Sequence, residues 1–205
     1  MRLYHNPISS NARRPLMTAL HLGLALELVE INLLDYADRQ RLAAVNPNGK
    51  LPVLANGDFL LSESCAIMQY LADQVPGQTL YPTAPAARAD VNRWLFWSTQ
   101  HFSPAVSVLA WERCWKSMAG FGSADPVEVT RGEGELDEYA TILDRHLAGR
   151  TWIAGESLSL ADFCIATPLM YRDRAQLALD QFHHIDAWFE RVRQVPAWRD
   201  TDVLW

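Results

Sequence analysis

Across 205 residues and 23.2 kDa, 49% of the side chains are hydrophobic and 20% charged, a composition that supports a sizeable core in one or two domains. The formal net charge of −6, the pI near 5.5 and the absence of any Lys/Arg cluster exclude non-specific nucleic-acid binding, which needs concentrated positive charge. No apolar stretch reaches the roughly 20 residues that span a bilayer. The start shows no charged and apolar leader. The three cysteines, Cys65, Cys114 and Cys164, have neither metal-ligand nor CxxC spacing. Together these features predict a cytoplasmic protein without a membrane span.

Arg2 to His5 reads as a short strand, followed by the turn-like Asn6-Pro7-Ile8-Ser9-Ser10 and a helix with Leu16, Leu20 and Leu24 on one face. Leu26 to Leu34 reads as a second strand, so the opening unit is βαβ with a parallel pair. Polar Asp35 to Gln40 and a short helix lead to the turn-rich Asn46-Pro47-Asn48-Gly49-Lys50-Leu51-Pro52. Val53 to Ala55 and Phe59 to Leu61 form a hairpin across Asn56-Gly57-Asp58, and Ser62 to Val75 closes the unit as a helix. The stretch around Pro76-Gly77, Pro82 and Pro85 marks a linker, which predicts an α/β domain over 1–78, a linker over 79–86 and an all-helical domain over 87–205.

Beyond the linker, Val91, Trp94, Leu95, Ser98, Phe102, Ala105 and Leu109 mark one long helix, and Leu136, Ala140, Leu143 and Leu147 another. Ser159-Leu160-Ala161-Asp162 has the form of a capping box ahead of a buried helix. Ile185, Trp188, Phe189 and Val192 share a face of a last helix that ends before Pro196. His183 and His184 are adjacent, so they do not share a helix face, and no third ligand stands near them in sequence: no metal site is expected.

Two stretches carry a family resemblance: Asn46-Pro-Asn-Gly-Lys-Leu-Pro-Val-Leu54, and Leu61-Ser-Glu-Ser-Cys-Ala-Ile-Met-Gln-Tyr-Leu71. With the order of elements, the linker and the capping box, they resemble the cytosolic glutathione S-transferase superfamily along essentially the whole chain. The resemblance implies a thioredoxin-like N-terminal domain, an all-helical C-terminal domain, glutathione as co-substrate with no tightly bound cofactor, and a homodimer.

On that resemblance, a cis Pro52 ahead of an edge strand lets Leu51 pair with the peptide-like backbone of glutathione. The backbone N–H groups and hydroxyl at Ser64 receive the γ-glutamyl carboxylate, and Glu63 holds the ammonium. Lys50 and Arg39 are candidates for the glycine carboxylate. A thiol of pKa near 8.5 is barely ionised at neutral pH, so the thiolate must be stabilised. Pro7-Ile8-Ser9-Ser10-Asn11-Ala12-Arg13-Arg14 resembles a bacterial-like, serine-type pattern, with Ser9 the first choice for the donor to sulfur, Ser10 and Asn11 alternatives, and Arg13 a nearby positive charge. Tyr4 is expected to pack within its strand and Cys65 in the core.

Trp97 and His101, spaced i, i+4, are the candidates for the wall of a hydrophobic electrophile's pocket, extended by Trp111 and Trp115. The expected activity is conjugation of glutathione to small hydrophobic electrophiles, or glutathione-dependent peroxidase activity. The alternative is a transferase-like binding or regulatory protein that has lost thiol activation.

Overall fold

The structure is a computed structural model, described over residues 1–203, and it divides into two compact units, Met1–Tyr81 with Arg193–Trp205, and Pro82–Val192. The first unit contains a four-stranded sheet in the order β2-β1-β3-β4, from β1 (Arg2–His5), β2 (Glu27–Glu30), β3 (Val53–Asn56) and β4 (Phe59–Ser62). β1 pairs in parallel with β2 (Leu3 opposite Leu28) and antiparallel with β3 (Leu3 opposite Leu54). β3 is therefore central, not the expected edge strand. The hairpin needs Gly57, whose φ of 61° lies in the left-handed region.

Strand alternation sends Leu3 and Leu54 to one face, where α1 (Ser10–His21) and α3 (Ser64–Asp73) supply Ala19, Ile67 and Leu71. Tyr4 and Val53 go to the other face and meet Ile31 and Leu42, the latter on α2 (Tyr36–Val45). Each fully buried aliphatic side chain stabilises the fold by about 1.5–3 kcal/mol relative to exposure. The apolar face of α1 differs from the expected leucine stripe. Leu16 and Leu24 pack half-buried against this core, but Leu20 is exposed, and Ala12, Met17 and Ala19 are buried. β2 also stops earlier than expected, at Glu30, where Asn32 opens a turn: its amide N–H donates to Asp38 Oδ2 at 2.8 Å and its Oδ1 accepts from Leu34 N at 3.0 Å.

The second unit opens with α4 (Pro85–Trp97), α5 (Ser103–Ala110) and α6 (Lys116–Met118), joined by π-helical turns at Ser98–Phe102 and Trp111–Trp115. Pro104 has no N–H to give Gln100, and the widened turn pairs Ser103 N with Ser98 O. Next come α7 (Pro126–Leu147), α8 (Leu160–Ala166), a 3₁₀ turn at Thr167–Tyr171 and α9 (His183–Arg193). Gly132 lets α7 approach α5, since a Cβ there would lie 3.0 Å from the side chains of Leu109 and Val108.

The α8 capping box forms. Asp162, fully buried, accepts from Ser159 N at 2.8 Å, Ser159 Oγ at 2.9 Å, Ile153 N at 2.9 Å and Trp188 Nε1 at 2.9 Å. Its burial still raises its pKa above the ordinary carboxylate value, against the pull of those donors. No helix among the described residues is long and apolar enough to cross a membrane.

The expected 87–205 helical domain differs from this division at its end. The chain from Arg193 onward, with α10 (Pro196–Arg199), belongs to the first unit, because the buried Arg13 of α1 bonds to it. Residues 204–205 of that expected domain lie outside the described residues. The boundary between the units, at Tyr81–Pro82, falls within the expected linker.

Candidate functional site

Asn6 fixes the turn between β1 and α1. Its Oδ1 accepts from Ile8 N at 3.1 Å, its Nδ2 donates to the Ile31 carbonyl at 2.9 Å, and Ser9 N donates to Asn6 O at 3.0 Å. Ser9 is left in extended backbone (φ −90°, ψ 113°) as the N-cap of α1, its Oγ accepting from Ala12 N at 3.2 Å. The capping position three residues on is Ala12, which has no carboxylate to close a box. Ser9 is half-buried, and among the described residues no acceptor takes its hydroxyl proton.

The two alternatives sit differently. Ser10 is the first residue of the helix and is buried, and Asn11 is exposed with its Oδ1 accepting from Arg14 Nη1 at 2.7 Å. Arg14, which sequence reasoning left without a role, is almost wholly buried, and the same nitrogen donates to Ser64 Oγ at 3.1 Å. One guanidinium thus brings together the N-termini of α1 and α3. The only signal in the sequence was a second arginine where a helix interior was expected.

Glu63 precedes α3 with φ 68° and ψ 113°, a backbone a non-glycine residue adopts at a cost of about 1–3 kcal/mol and one that concentrates at functional sites. Its exposed side chain does not cap the helix, and Ser64 beneath it is buried. No acidic residue occupies the first turn of α1 or α3, so neither positive helix end is offset from within its own helix.

The Leu51–Pro52 peptide is cis, with Pro52 buried and Leu51 half-buried against the α2 side of the sheet. Buried Asn46, which opens this turn-rich stretch, holds the turn: its Nδ2 donates to the Lys50 carbonyl at 2.8 Å and its Oδ1 accepts from Asn48 N at 3.1 Å. Lys50 and Arg39 are both exposed.

Arg13 departs from expectation. Its guanidinium is only 2% exposed and is turned to the C-terminal segment, where it stacks 3.8 Å from the Trp198 ring centroid and bonds to the Trp198 carbonyl and the Thr201 hydroxyl. Its guanidinium is held against the C-terminal segment because the face of α1 that carries it is the face α10 covers.

In the second unit, Trp97 and His101 share a ring group with Tyr139 of α7, at centroid distances of 6.2 and 5.2 Å. Trp111 pairs with exposed Phe121 at 5.8 Å, and Trp115 packs on Tyr171 at 5.9 Å.

Residues 3–79 match the family model of the glutathione S-transferase N-terminal domain, and residues 114–196 match that of the C-terminal domain. The chain belongs to the glutathione S-transferase family. It is 32% identical to glutathione S-transferase 3 of Zea mays over 208 residues, covering 98% of this chain and 92% of that protein. Against glutathione S-transferase F10 of Arabidopsis thaliana the identity is 28% over 204 residues, covering 96% and 94%. The crystal structure of glutathione transferase F7 from Populus trichocarpa superposes with a TM-score of 0.89 at 25% identity, over 98% of this chain and 96% of that one. The mixed four-stranded sheet followed by a helical unit is the architecture this family shares.

Proposed function

We propose that Ser9 is the group through which this glutathione transferase ionises its substrate thiol. The observation that carries the reading is the open cap of α1: Ser9 Oγ accepts from Ala12 N, so its own O–H is directed away from the helix and is available to donate to sulfur. A charge-assisted hydrogen bond from that hydroxyl, with the positive end of α1 behind it, favours thiolate over thiol and lowers the thiol pKa. The proton leaves to solvent, and the thiolate attacks the electrophile held beside it.

Glutathione is oriented by the rest of the first unit. The γ-glutamyl carboxylate lies on the N-terminus of α3 at Ser64, Glu63 meets the ammonium, the backbone of Leu51 ahead of Pro52 pairs with the cysteinyl peptide, and Lys50 and Arg39 attract the glycine carboxylate. Arg14 keeps Ser64 and the α1 turn in one frame, which supports a single bound tripeptide reaching both.

The acceptor is a small hydrophobic electrophile. Within the helical unit, Trp97, His101 and Trp111 are the residues we assign to its apolar contacts, and within the first unit the exposed Leu33 and Leu34 offer apolar surface. Conjugation is the favoured outcome, with peroxidase activity on the same thiolate. The protein works in the cytoplasm as a homodimer, a reading supported by exposed Phe59 and Leu60 on the edge strand β4.

The test is an ultraviolet pH titration of bound glutathione thiolate, wild type against Ser9→Ala, beside conjugation of an aromatic halide. A depressed thiol pKa that returns toward its free value in Ser9→Ala supports the reading. An unchanged pKa moves the role to Ser10 or Asn11, and glutathione binding without turnover identifies a non-catalytic transferase-like protein.

A further inference from the structure

The buried arginine one turn into α1 is left over from the site described above. Arg13 Nη2 donates to the Trp198 carbonyl at 2.8 Å and lies 3.4 Å from Asp202 Oδ1, while Nε donates to Thr201 Oγ1 at 3.0 Å. At the other end of the same residue, its amide N–H donates to the Ser9 carbonyl at 2.9 Å, next to the Ala12 N–H that binds Ser9 Oγ. One residue therefore joins the cap of α1 to the end of α10.

Two features make this joint more than packing. The end of β1 and the turn at His5–Pro7, which deliver the chain to Ser9, line a cavity of about 190 Å³ together with Arg13, Leu16 and residues 200–203. An interior packed to ordinary density would hold the loop by contact alone. Here the turn borders that cavity on one side, and the Arg13 joint bridges the elements that line it. The C-terminal segment, moreover, does not depend on the arginine for its own turn, because Thr201 Oγ1 also donates to the Ala197 carbonyl at 2.7 Å.

We propose that Arg13 is a positioning residue for thiol activation, fastening the first turn of α1 to Trp198–Asp202 so that the Ser9 hydroxyl stays aimed at the sulfur. The inference rests on the reading of Ser9 as thiol activator. A planar guanidinium that bonds along two edges and stacks on an indole suits this task, and a lysine ammonium, a point charge on a flexible stem, reproduces only part of it.

The experiment compares wild type, Arg13→Met, Arg13→Lys and Thr201→Val. In the ligand-free proteins, hydrogen exchange at the amides of residues 12 and 13 reads the cap directly, and it is expected to accelerate about tenfold in Arg13→Met. In the glutathione complexes, the bound thiol pKa is expected to rise by about one unit in Arg13→Met, with kcat falling about tenfold and the KM for glutathione changing less than about twofold. Arg13→Lys and Thr201→Val should fall between it and wild type, and Thr201→Val decides the matter if Arg13→Met does not fold.

Unchanged exchange in the folded variants overturns the proposal, as does faster exchange with an unmoved thiol pKa, since Arg13 would then serve stability alone. A wild type that binds no glutathione overturns the Ser9 reading, and amide exchange still decides whether Arg13 holds the turn.

Discussion

Among the described residues, Ser9 caps α1 and Ser159 caps α8, and the two serines do opposite things with their hydroxyls. Ser159 closes its box: its Oγ donates to Asp162 Oδ2 at 2.9 Å and its N–H donates to the same oxygen at 2.8 Å, in a site only 3% exposed. Ser9 faces Ala12 where Ser159 faces Asp162, so nothing in its own helix takes its proton. A cap that is satisfied internally stabilises, and a cap with one donor left over can act on a ligand. The residue three positions on separates the two, not the serine.

The largest expected effect tests the closed cap. Asp162→Ala strands the buried donors of Ile153, Ser159 and Trp188, each costing about 1–3 kcal/mol when unsatisfied, so denaturant unfolding should show a loss of about 4 kcal/mol or more. The bound thiol pKa in whatever protein remains folded should not move. A shift there would break the separation between the two caps.

Next comes Ser9→Ala, expected to lower kcat/KM by about 100-fold, as removal of one donor aimed at developing charge does, while costing only about 1 kcal/mol of stability. A stability loss as large as that of Asp162→Ala would make the open cap structural after all. Ser64→Ala sharpens the contrast within the first unit. It removes the hydroxyl that Arg14 reaches at 3.1 Å, and should raise the KM for glutathione by about tenfold with a smaller change in kcat.

The smallest effect concerns pH. His146 Nε2 lies 2.8 Å from the Ile153 carbonyl, on the same residue whose N–H binds Asp162, and burial holds its pKa below the usual 6.5. A folded-state pKa below the unfolded one means that the unfolded chain binds the proton first. Stability is therefore full above pH 6.5 and declines as pH falls from there toward the folded-state value. Thermal melts between pH 7.5 and 5.5 should show this decline, with a shallower slope in His146→Gln.

Element order and the local turns that carry the candidate site residues could be read from the sequence, because their signals are local. The Asn56-Gly57-Asp58 hairpin and the Ser159–Asp162 box each depend on chemistry within a few positions, and local chemistry survives any tertiary arrangement; Pro85, by contrast, reads as linker and in fact starts α4. The stretches around Pro52 and Ser64 were legible for a related reason: a turn entering a strand and a loop entering a helix announce themselves in sequence. Long-range pairing carries no such mark. That β3 lies between β1 and β4, that Arg14 reaches Ser64 across 50 positions, and that Arg13 turns to Trp198 and Thr201 near the far end of the chain were decided by packing alone. A buried guanidinium must find its acceptors wherever the fold brings them, and two adjacent arginines on one helix point to different faces about 100° apart, so only the folded structure could send one to Ser64 and the other to Trp198 and Thr201.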